Sequence, residues 1–171
     1  MKKLIGFYVD DANLYYGQKR AGWKIDYSRL LSYVSQFGVV CVAKYFIGMP
    51  GWEPAKGINE ALKADRIKAG YVVITKPLKK IFDPSSIQGF INKCNFDVEI
   101  TMEACMDMEN LDKVYIASGD SDFVYIKTIA FSKGKQLEFM PFESNCAWEI
   151  KLSEHTFLDD IKDRVSKVNV Q

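Results

Sequence analysis

The chain has 171 residues, of which 48% are hydrophobic and 26% are charged. This composition is typical of a soluble globular domain and excludes an intrinsically disordered chain. Lysine and arginine number 23 against 22 aspartates and glutamates, so no overall field draws the chain to nucleic acid or to an acidic membrane, and any polyanion site must be local. We expect one domain, residues 1–163, followed by a C-terminal tail at 164–171.

Cysteine usage and the N-terminus bear on the compartment. The four cysteines are widely spaced, with no C-x-x-C pair and no neighbouring histidine, which argues against a zinc site. We expect most of them to be buried thiols: Cys41, Cys94, Cys105 and Cys146. The first apolar run is too short for a signal peptide, and no later segment has membrane-spanning length. These features predict a cytoplasmic protein.

Apolar, strand-like runs alternate with segments of helical period along the chain. In chain order, the predicted elements are strand 4–9, helix 13–20, helix 27–37, strand 39–49, helix 55–69, strand 71–77, helix 97–108, strand 113–118, helix 122–132, strand 136–140 and helix 146–152. Asp26 is a predicted N-cap, and Gly38 and Gly134 are predicted helix ends. Because strands separated by helices are joined by right-handed crossovers, the pattern predicts an α/β three-layer sandwich with a mostly parallel sheet.

Three segments depart from this alternation. Residues 78–95 have a weak, lysine-bearing pattern that predicts a loop or excursion beside the sheet. The run TFLDDI at 156–161 predicts a short final strand. The residues after Asp163 predict a frayed tail.

Polar residues directly follow two of the buried strands. Asp10, Asp11 and Asn13 come after the first strand, and the sequence SGDSD at 118–122 comes after the fourth. Asp97 is a third source, at the start of the helix that leads into the fourth strand. In an open parallel sheet the functional crevice lies beyond the carboxyl ends of the strands. Carboxylates gathered there repel one another, and a divalent cation would relieve the repulsion.

The ligand chemistry favours a hard cation, and a simpler interpretation stands beside it. Oxygen ligands without a nearby His or Cys suit Mg²⁺ or Mn²⁺ better than Zn²⁺. However, Asp and Ser after a strand are also common helix N-caps, and the stretch SGDSDF is equally consistent with capping alone. We expect Asp11 to face solvent, because it stands where the chain turns away. Glu103 lies off the helical face of Asp97, so solvation or a supporting role is at least as consistent as ligation.

Three motifs, in order, resemble those of the NYN domains, the PIN-like group that includes LabA-type and DUF88-type bacterial proteins. YVDDANLYYG is similar to the family signature hydrophobic-Asp-x-x-Asn-hydrophobic, FDVEITMEA to its helix start, and IASGDSDF to its strand-end Ser-Gly-Asp-x-Asp-Phe. The segment KPL at 76–78 looks like the usual end of the third strand. The likeness extends from Leu4 to about Asp160, nearly the whole chain.

The resemblance implies a Rossmann-like, PIN-like sandwich with an acidic metal centre. Four aspartates would form that centre: Asp10, Asp97, Asp120 and Asp122. Asn13 would orient the first aspartate or the phosphate, and Ser118 would support the loop. The chain departs from the family pattern where Cys94, with Lys93 beside it, replaces the usual Lys, so the phosphate contact of that Lys is not implied. Asp11 replaces a small residue, and Glu103 replaces an Asp and can still ligate.

This chemistry points to a nuclease. Carboxylates that hold one or two divalent ions can lower the pKa of a bound water, align it with a phosphodiester and stabilise the leaving oxygen. We predict a metal-dependent hydrolase of the ribonuclease type, acting on single-stranded or loop RNA with Mg²⁺ or Mn²⁺. No catalytic triad competes, since the single histidine, His155, falls in a late predicted loop, and no glycine-rich phosphate loop is present. The alternative is a non-catalytic RNA-binding or regulatory module with a structural cation site.

Aromatic and basic residues are candidate substrate contacts. Tyr15 and Tyr16 could stack on splayed bases, although we expect at least one of them to lie in the core. Six cations could line a groove and contact phosphates, with simple solvation as the alternative: Lys19, Arg20, Lys76, Lys79, Lys80 and Lys93. RNA is therefore the expected partner. A membrane is not, and a homo-oligomer is left open.

Overall fold

A computed structural model describes residues 2–86 and 89–168 of the chain. Five strands form one central sheet: β1 (Leu4–Asp10), β2 (Val39–Met49), β3 (Val72–Pro77), β6 (Lys113–Ala117) and β7 (Gln136–Phe139). Their order is β3-β2-β1-β6-β7, and every neighbouring pair is parallel. Two further strands, β4 (Lys79–Phe82) and β5 (Phe90–Lys93), form a separate antiparallel pair. The predicted parallel α/β fold is confirmed.

Helices connect the strands and cover the sheet. Their bounds are α1 (Asp11–Ala21), α2 (Tyr27–Val34), α3 (Ala55–Lys68), α4 (Asp97–Asp107), α5 (Val124–Ser132), α6 (Trp148–Lys151) and α7 (Lys162–Val165). The predicted cap Asp26 starts α2, because its side chain accepts hydrogen bonds from the N–H groups of Ser28 and Arg29 at 3.0 and 3.1 Å. Gly134 ends the α5 segment with a positive φ of 66°, a conformation that glycine adopts without strain.

The core lies on both faces of the sheet, with β1 in the middle. Side chains of a strand point alternately to opposite faces, so Phe7 and Val9 join one core cluster and Tyr8 joins the other. Six consecutive residues of β1, from Ile5 to Asp10, are buried. The last of these is a carboxylate, and its placement sets up the functional site.

The segment between β3 and α4 forms more structure than its sequence predicts. Residues 78–95 contain the β4–β5 hairpin, in which Lys79 is opposite Lys93 and Phe82 is opposite Phe90. The strands escaped prediction because each has two apolar residues side by side instead of alternating apolar and polar residues. Ile87 and Gln88, at the hairpin tip, lie outside the described residues.

The C-terminal part corrects a second expectation. The run TFLDDI is not a strand: residues 158–161 form turns, which direct the buried Leu158 and Ile161 into the core. Helix α7 crosses the domain boundary that we predict at residue 163. Val165 is fully buried, and its carbonyl accepts a hydrogen bond from the Asp26 N–H at 2.8 Å. Residues 169–171 of the predicted tail lie outside the described residues.

The four cysteines and the single histidine are exposed or only partly buried. Cys41 is exposed and the other three cysteines are half-buried, so the expectation that most are buried thiols is wrong. His155 is half-buried, with its ring 4.5 Å from that of Phe157 and Nδ1 2.8 Å from the Ser153 carbonyl oxygen. Both contacts are structural in character.

Candidate metal centre

The carboxyl ends of β1 and β6 lie side by side in the middle of the sheet. Val9 of β1 is paired with Ala117 of β6, although the two are far apart in the chain. From this pair the strand order runs outward to β2 and β3 on one side and to β7 on the other. Such a switch in topology opens a crevice in parallel sheets. Asp10, which ends β1, and the turn 118–122, which follows β6, therefore share one crevice.

Asp10 is a buried carboxylate held by two hydrogen bonds. It is only 8% exposed. Its Oδ1 caps α1 by accepting a hydrogen bond from the Asn13 N–H at 3.2 Å, and its Oδ2 accepts one from the Ser118 hydroxyl at 3.1 Å. Burial raises the pKa of the Asp10 carboxyl to about 6, the two hydrogen bonds oppose this rise, and the charges of Asp97 and Asp11 add to it. The ionised form is therefore destabilised in the protein without added cation.

Ser118 and Asn13 connect the ends of the two strands. The fully buried Ser118 hydroxyl also accepts a hydrogen bond from the Asp120 N–H at 3.2 Å. The side-chain oxygen of Asn13 accepts one from the Gly119 N–H at 3.0 Å. Gly119 is required for this close approach, because a Cβ there would lie 2.1 Å from the backbone oxygen of Asn145. These contacts fix the position of the acidic turn relative to Asp10.

Asp120 and Asp122 lie on the turn after β6, next to Asp97 at the start of α4. Asp120 Oδ1 accepts a hydrogen bond from the Asp122 N–H at 3.0 Å, so Asp120 is a helix cap as well as a member of the acidic group. Burial raises the pKa of the Asp97 carboxyl, a hydrogen bond with the Asn95 side chain lowers it, and the charges of Asp120 and Asp122 raise it further. The structure thus brings Asp97 to the same acidic group.

Among the described residues, no cation is paired with this acidic group. In the part of the chain that the structure describes, none of the four aspartates forms a salt bridge. The pKa values of Asp10 and Asp97 are raised partly by other aspartates of the group. Mutual repulsion of this kind is what a bound divalent cation removes.

The residues suit Mg²⁺ or Mn²⁺ in their chemistry, although they are not arranged around an ion. Among residues 2–86 and 89–168, no three His, Cys, Asp or Glu side chains are already placed to hold one metal ion. The donors of the acidic group are carboxylate oxygens, which Mg²⁺ and Mn²⁺ prefer. Asp97 and Asp120 are only partly buried and Asp122 is exposed, so these side chains have room to turn toward a shared ion.

Two other acids predicted near the site point elsewhere. Asp11 turns inward and accepts a hydrogen bond from the Tyr45 hydroxyl, so the expectation that it faces solvent is wrong. Burial raises the pKa of its carboxyl, while Tyr45 and the charge of Arg66 lower it. Glu103 forms a salt bridge of 2.5 Å with Lys44, which also pairs with Asp107. The structure therefore does not bring Glu103 to the other aspartates.

The predicted substrate contacts lie on α1, on β3 and on the β4–β5 hairpin. Tyr15 and Tyr16 of α1 are 52% and 54% exposed, and their ring centroids are 5.3 Å apart in an edge-to-face arrangement. The expectation that at least one lies in the core is wrong, because Leu14 and Gly17 form the buried face of α1. Lys76 pairs with Glu99 of α4, whereas Lys79 and Lys93 are exposed on the hairpin.

A polar cleft beside Asp120 adds Asn145, a residue that the sequence did not indicate. It has a volume of about 350 Å³, and its lining includes Asn13, Arg20, Asp120 and Asn145. Arg20 donates a hydrogen bond of 2.5 Å to Asn145 Oδ1, and Asn145 Nδ2 donates one of 3.1 Å to the Asn13 carbonyl. These contacts hold Arg20, near the end of α1, in the cleft beside Asp120. Asn145 carries no local sequence signal, since it ends a short 3-10 helix (Glu143–Asn145) long after the motif.

Comparison with known proteins identifies the family. The NYN domain pattern matches residues 5–162. The chain belongs to the NYN domain family. This is a family generally made up of nucleases and RNA-related proteins, and the resemblance in the three motifs is thereby confirmed.

One relative and one solved structure of similar fold extend the comparison. The chain is 25% identical over 167 residues to the low amplitude and bright protein LabA of Synechococcus elongatus, covering 95% of this chain and 88% of LabA. A crystal structure of a protein of unknown function from Vibrio parahaemolyticus, VPA0982, superposes with a TM-score of 0.72 at 21% identity, covering 96% of each chain. That likeness shows the fold. In the described ranges, no helix of the NYN domain is long and apolar enough to cross a membrane.

Proposed function

We propose that this NYN domain is a divalent-metal-dependent ribonuclease that hydrolyses phosphodiester bonds in single-stranded or loop RNA. One observation carries the proposal: the Ser118 hydroxyl connects Asp10 with Asp120 at the switch point, and in the described residues no salt bridge neutralises the four candidate aspartates. A group of acids is costly to keep in a crevice, because each charge raises the pKa of its neighbours. A bound cation offsets this cost and explains the arrangement.

Each residue of the site has a distinct role in the proposed reaction. Asp10, Asp97, Asp120 and Asp122 would hold Mg²⁺ or Mn²⁺, which would supply a water of lowered pKa and stabilise charge on the reacting phosphodiester. Ser118 and Asn13 are positioning residues, since they fix Asp10 and the acidic turn relative to each other. Arg20 lies in the cleft beside Asp120, where a guanidinium can bind a phosphate oxygen.

The exposed tyrosines of α1 favour a single-stranded substrate. Tyr15 and Tyr16 immediately follow the site residues Asp10 and Asn13 in the chain, and more than half of each side chain is exposed. Aromatic rings bind bases by stacking, and only unpaired bases offer their faces. Paired RNA would leave these two rings without a partner.

The test is cleavage of an end-labelled RNA that contains both a single-stranded segment and a stem-loop. We expect cleavage in Mn²⁺ or Mg²⁺ and none in EDTA. Asp97→Asn and Asp120→Asn should each lower the rate at least about a hundredfold, because a lost ligand removes several kcal/mol of transition-state stabilisation. Asp160→Asn is the matched control, since Asp160 is an exposed aspartate in the turn before α7. This variant should cleave the RNA at the wild-type rate.

The same proteins separate the enzyme from the binding module. Loss of cleavage in the two site variants, with wild-type circular dichroism spectra, supports the enzyme. RNA binding and Mn²⁺-dependent thermal stabilisation without any cleavage would favour the module with a structural cation. Equal cleavage by Asp120→Asn and Asp160→Asn would contradict the proposed site. A DNA strand of the same sequence tests the choice of RNA.

A further inference from the structure

The β4–β5 hairpin is an exposed arm beside the central sheet. All eight residues of its two strands are exposed, and they form a sheet of their own. Phe82 is 70% exposed and Phe90 is 51% exposed. A two-stranded hairpin is only marginally stable in water, and large apolar side chains on such an element are typical of a binding surface.

The register of the hairpin sorts its side chains onto two different faces. Opposite residues of an antiparallel pair lie on the same face, and successive residues alternate. Lys80 is opposite Asn92 and Phe82 is opposite Phe90, so these four residues form one face, which we call the aromatic face. The other face carries the pairs Lys79–Lys93 and Ile81–Ile91.

The aromatic face extends to Trp52 at the root of the hairpin. The Lys80 ammonium lies 4.6 Å from the centre of the Trp52 ring. Trp52 in turn lines a cleft of about 560 Å³ at the carboxyl ends of β2 and β3, together with Glu60, Lys63, Thr75 and Lys76. Aromatic rings and an ammonium group therefore follow one another from the sheet edge along the hairpin.

The charge of the hairpin indicates an anionic occupant. Residues 76–95 contain four lysines and a single aspartate, in a chain whose formal net charge is +1. In the described residues, Lys79, Lys80 and Lys93 form no salt bridge. The aspartate, Asp83, accepts hydrogen bonds from the backbone and hydroxyl of Ser85 at 2.9 and 2.6 Å. A second copy of the chain would place like charges against each other, which disfavours a dimer at this surface.

The hairpin is also connected to the acidic site. It leaves the sheet after β3 and returns directly to α4, whose first residue is Asp97. Lys80 and Phe82 are two residues apart on one strand, a separation of about 7 Å. This is about twice the 3.4 Å rise along the helix axis for each nucleotide of a duplex strand. Groups at this spacing suit a stretched strand with unstacked bases.

We propose that the aromatic face of the hairpin, from Trp52 through Lys80 to Phe82 and Phe90, binds single-stranded RNA as an extension of the acidic site. Bases stack on the exposed rings, and Lys80 contacts a phosphate. The inference rests on the proposed function for its substrate, because it assigns to the hairpin the part of the RNA that lies beyond the scissile bond. It adds an affinity-determining surface that is separate from the metal ligands.

The test is fluorescence anisotropy with a labelled single-stranded RNA of about 12 nucleotides, in EDTA so that no cleavage occurs. Phe82→Ser/Phe90→Ser should weaken binding at least about tenfold, since each base–ring stack contributes a factor of that order. Ile81→Ser/Ile91→Ser removes two apolar side chains from the opposite face of the same hairpin and should change binding less than about threefold. Lys80→Gln should reduce the slope of log Kd against log salt by about one phosphate contact.

Each of three other outcomes would overturn the inference. Equal weakening by the Phe and Ile pairs would mean that hairpin integrity matters and the aromatic face does not. Wild-type affinity in the Phe pair would exclude the stacking. Loss of a dimer in the Phe pair by light scattering, with RNA binding intact, would assign the surface to a second copy.

Failure of the inference is distinguishable from failure of the proposed function. If the Phe pair weakens binding but no RNA is ever cleaved, the hairpin site stands and the nuclease proposal fails. If cleavage depends on Asp120 while the Phe pair binds normally, the nuclease stands and the hairpin site fails.

Discussion

Asp10→Asn should stabilise the metal-free protein, because the wild-type carboxylate is buried at a cost. Burial raises the pKa of the Asp10 carboxyl from 3.8 to about 6. At about 1.4 kcal/mol for each pKa unit, the ionised group costs the folded state about 3 kcal/mol near pH 8. Because the folded-state pKa lies above the unfolded-state value, the folded protein binds more protons in this window. The free energy of unfolding therefore falls as the pH rises from about 4 to 6.

The amide keeps part of what the carboxylate does. The amide oxygen of the variant side chain can still accept a hydrogen bond from the Asn13 N–H. Its NH₂ group, however, faces the Ser118 hydroxyl, which in the wild type donates a hydrogen bond to the carboxylate. The pKa of about 6 already includes the two hydrogen bonds that the carboxylate accepts, so the separate cost of the variant is the reorientation of Ser118 against the amide, about 1–2 kcal/mol. A net gain of about 1–2 kcal/mol remains near pH 8, which for a chain of this size raises Tm by about 2–8 °C. Near pH 4.5 the cost of the carboxylate is only about 1 kcal/mol, so the gain should vanish.

Thermal unfolding followed by circular dichroism in EDTA measures this difference, with Asp160→Asn as the control. Mn²⁺ at about 100 times its Kd should then stabilise the wild type by about 2.7 kcal/mol and Asp10→Asn by much less. A variant that is less stable than the wild type near pH 8, or a difference that is the same at both pH values, would refute the reasoning. An equal response to Mn²⁺ would refute Asp10 as a ligand.

Three further changes test separate parts of the site. Ser118→Ala removes the hydroxyl that connects Asp10 to Asp120. It should lower the free energy of unfolding in urea by about 1–3 kcal/mol and the cleavage rate at least about tenfold; an unchanged cleavage rate would contradict the positioning role of Ser118. Gly119→Ala should destabilise the domain by about 1–3 kcal/mol, because its Cβ would meet the Asn145 backbone oxygen at 2.1 Å; a wild-type Tm would show that the turn can shift freely. Glu103→Gln should retain the Mn²⁺-dependent Tm shift, since this side chain pairs with Lys44; loss of the shift would place Glu103 among the ligands.

Local sequence patterns determined the order of the elements and the caps of the helices. Consecutive apolar residues predict a buried strand, and β2 has the predicted bounds of 39–49. The aspartates after β1 and β6 are helix caps, as their local sequence indicates. Such features depend on neighbours within a few residues, and the sequence displays those neighbours directly. The three ordered motifs likewise sufficed to predict the NYN family.

Only the tertiary structure decided which distant groups meet. The pairing of β1 with β6 brings Asp10 and Asp120 to one crevice, and no local pattern specifies which strands are neighbours. The same holds for the inward turn of Asp11 toward Tyr45, for the partnership of Glu103 with Lys44, and for the position of Asn145 against Asn13. Each depends on packing between elements that are far apart in the chain, where burial and sterics select one of many locally acceptable side-chain directions.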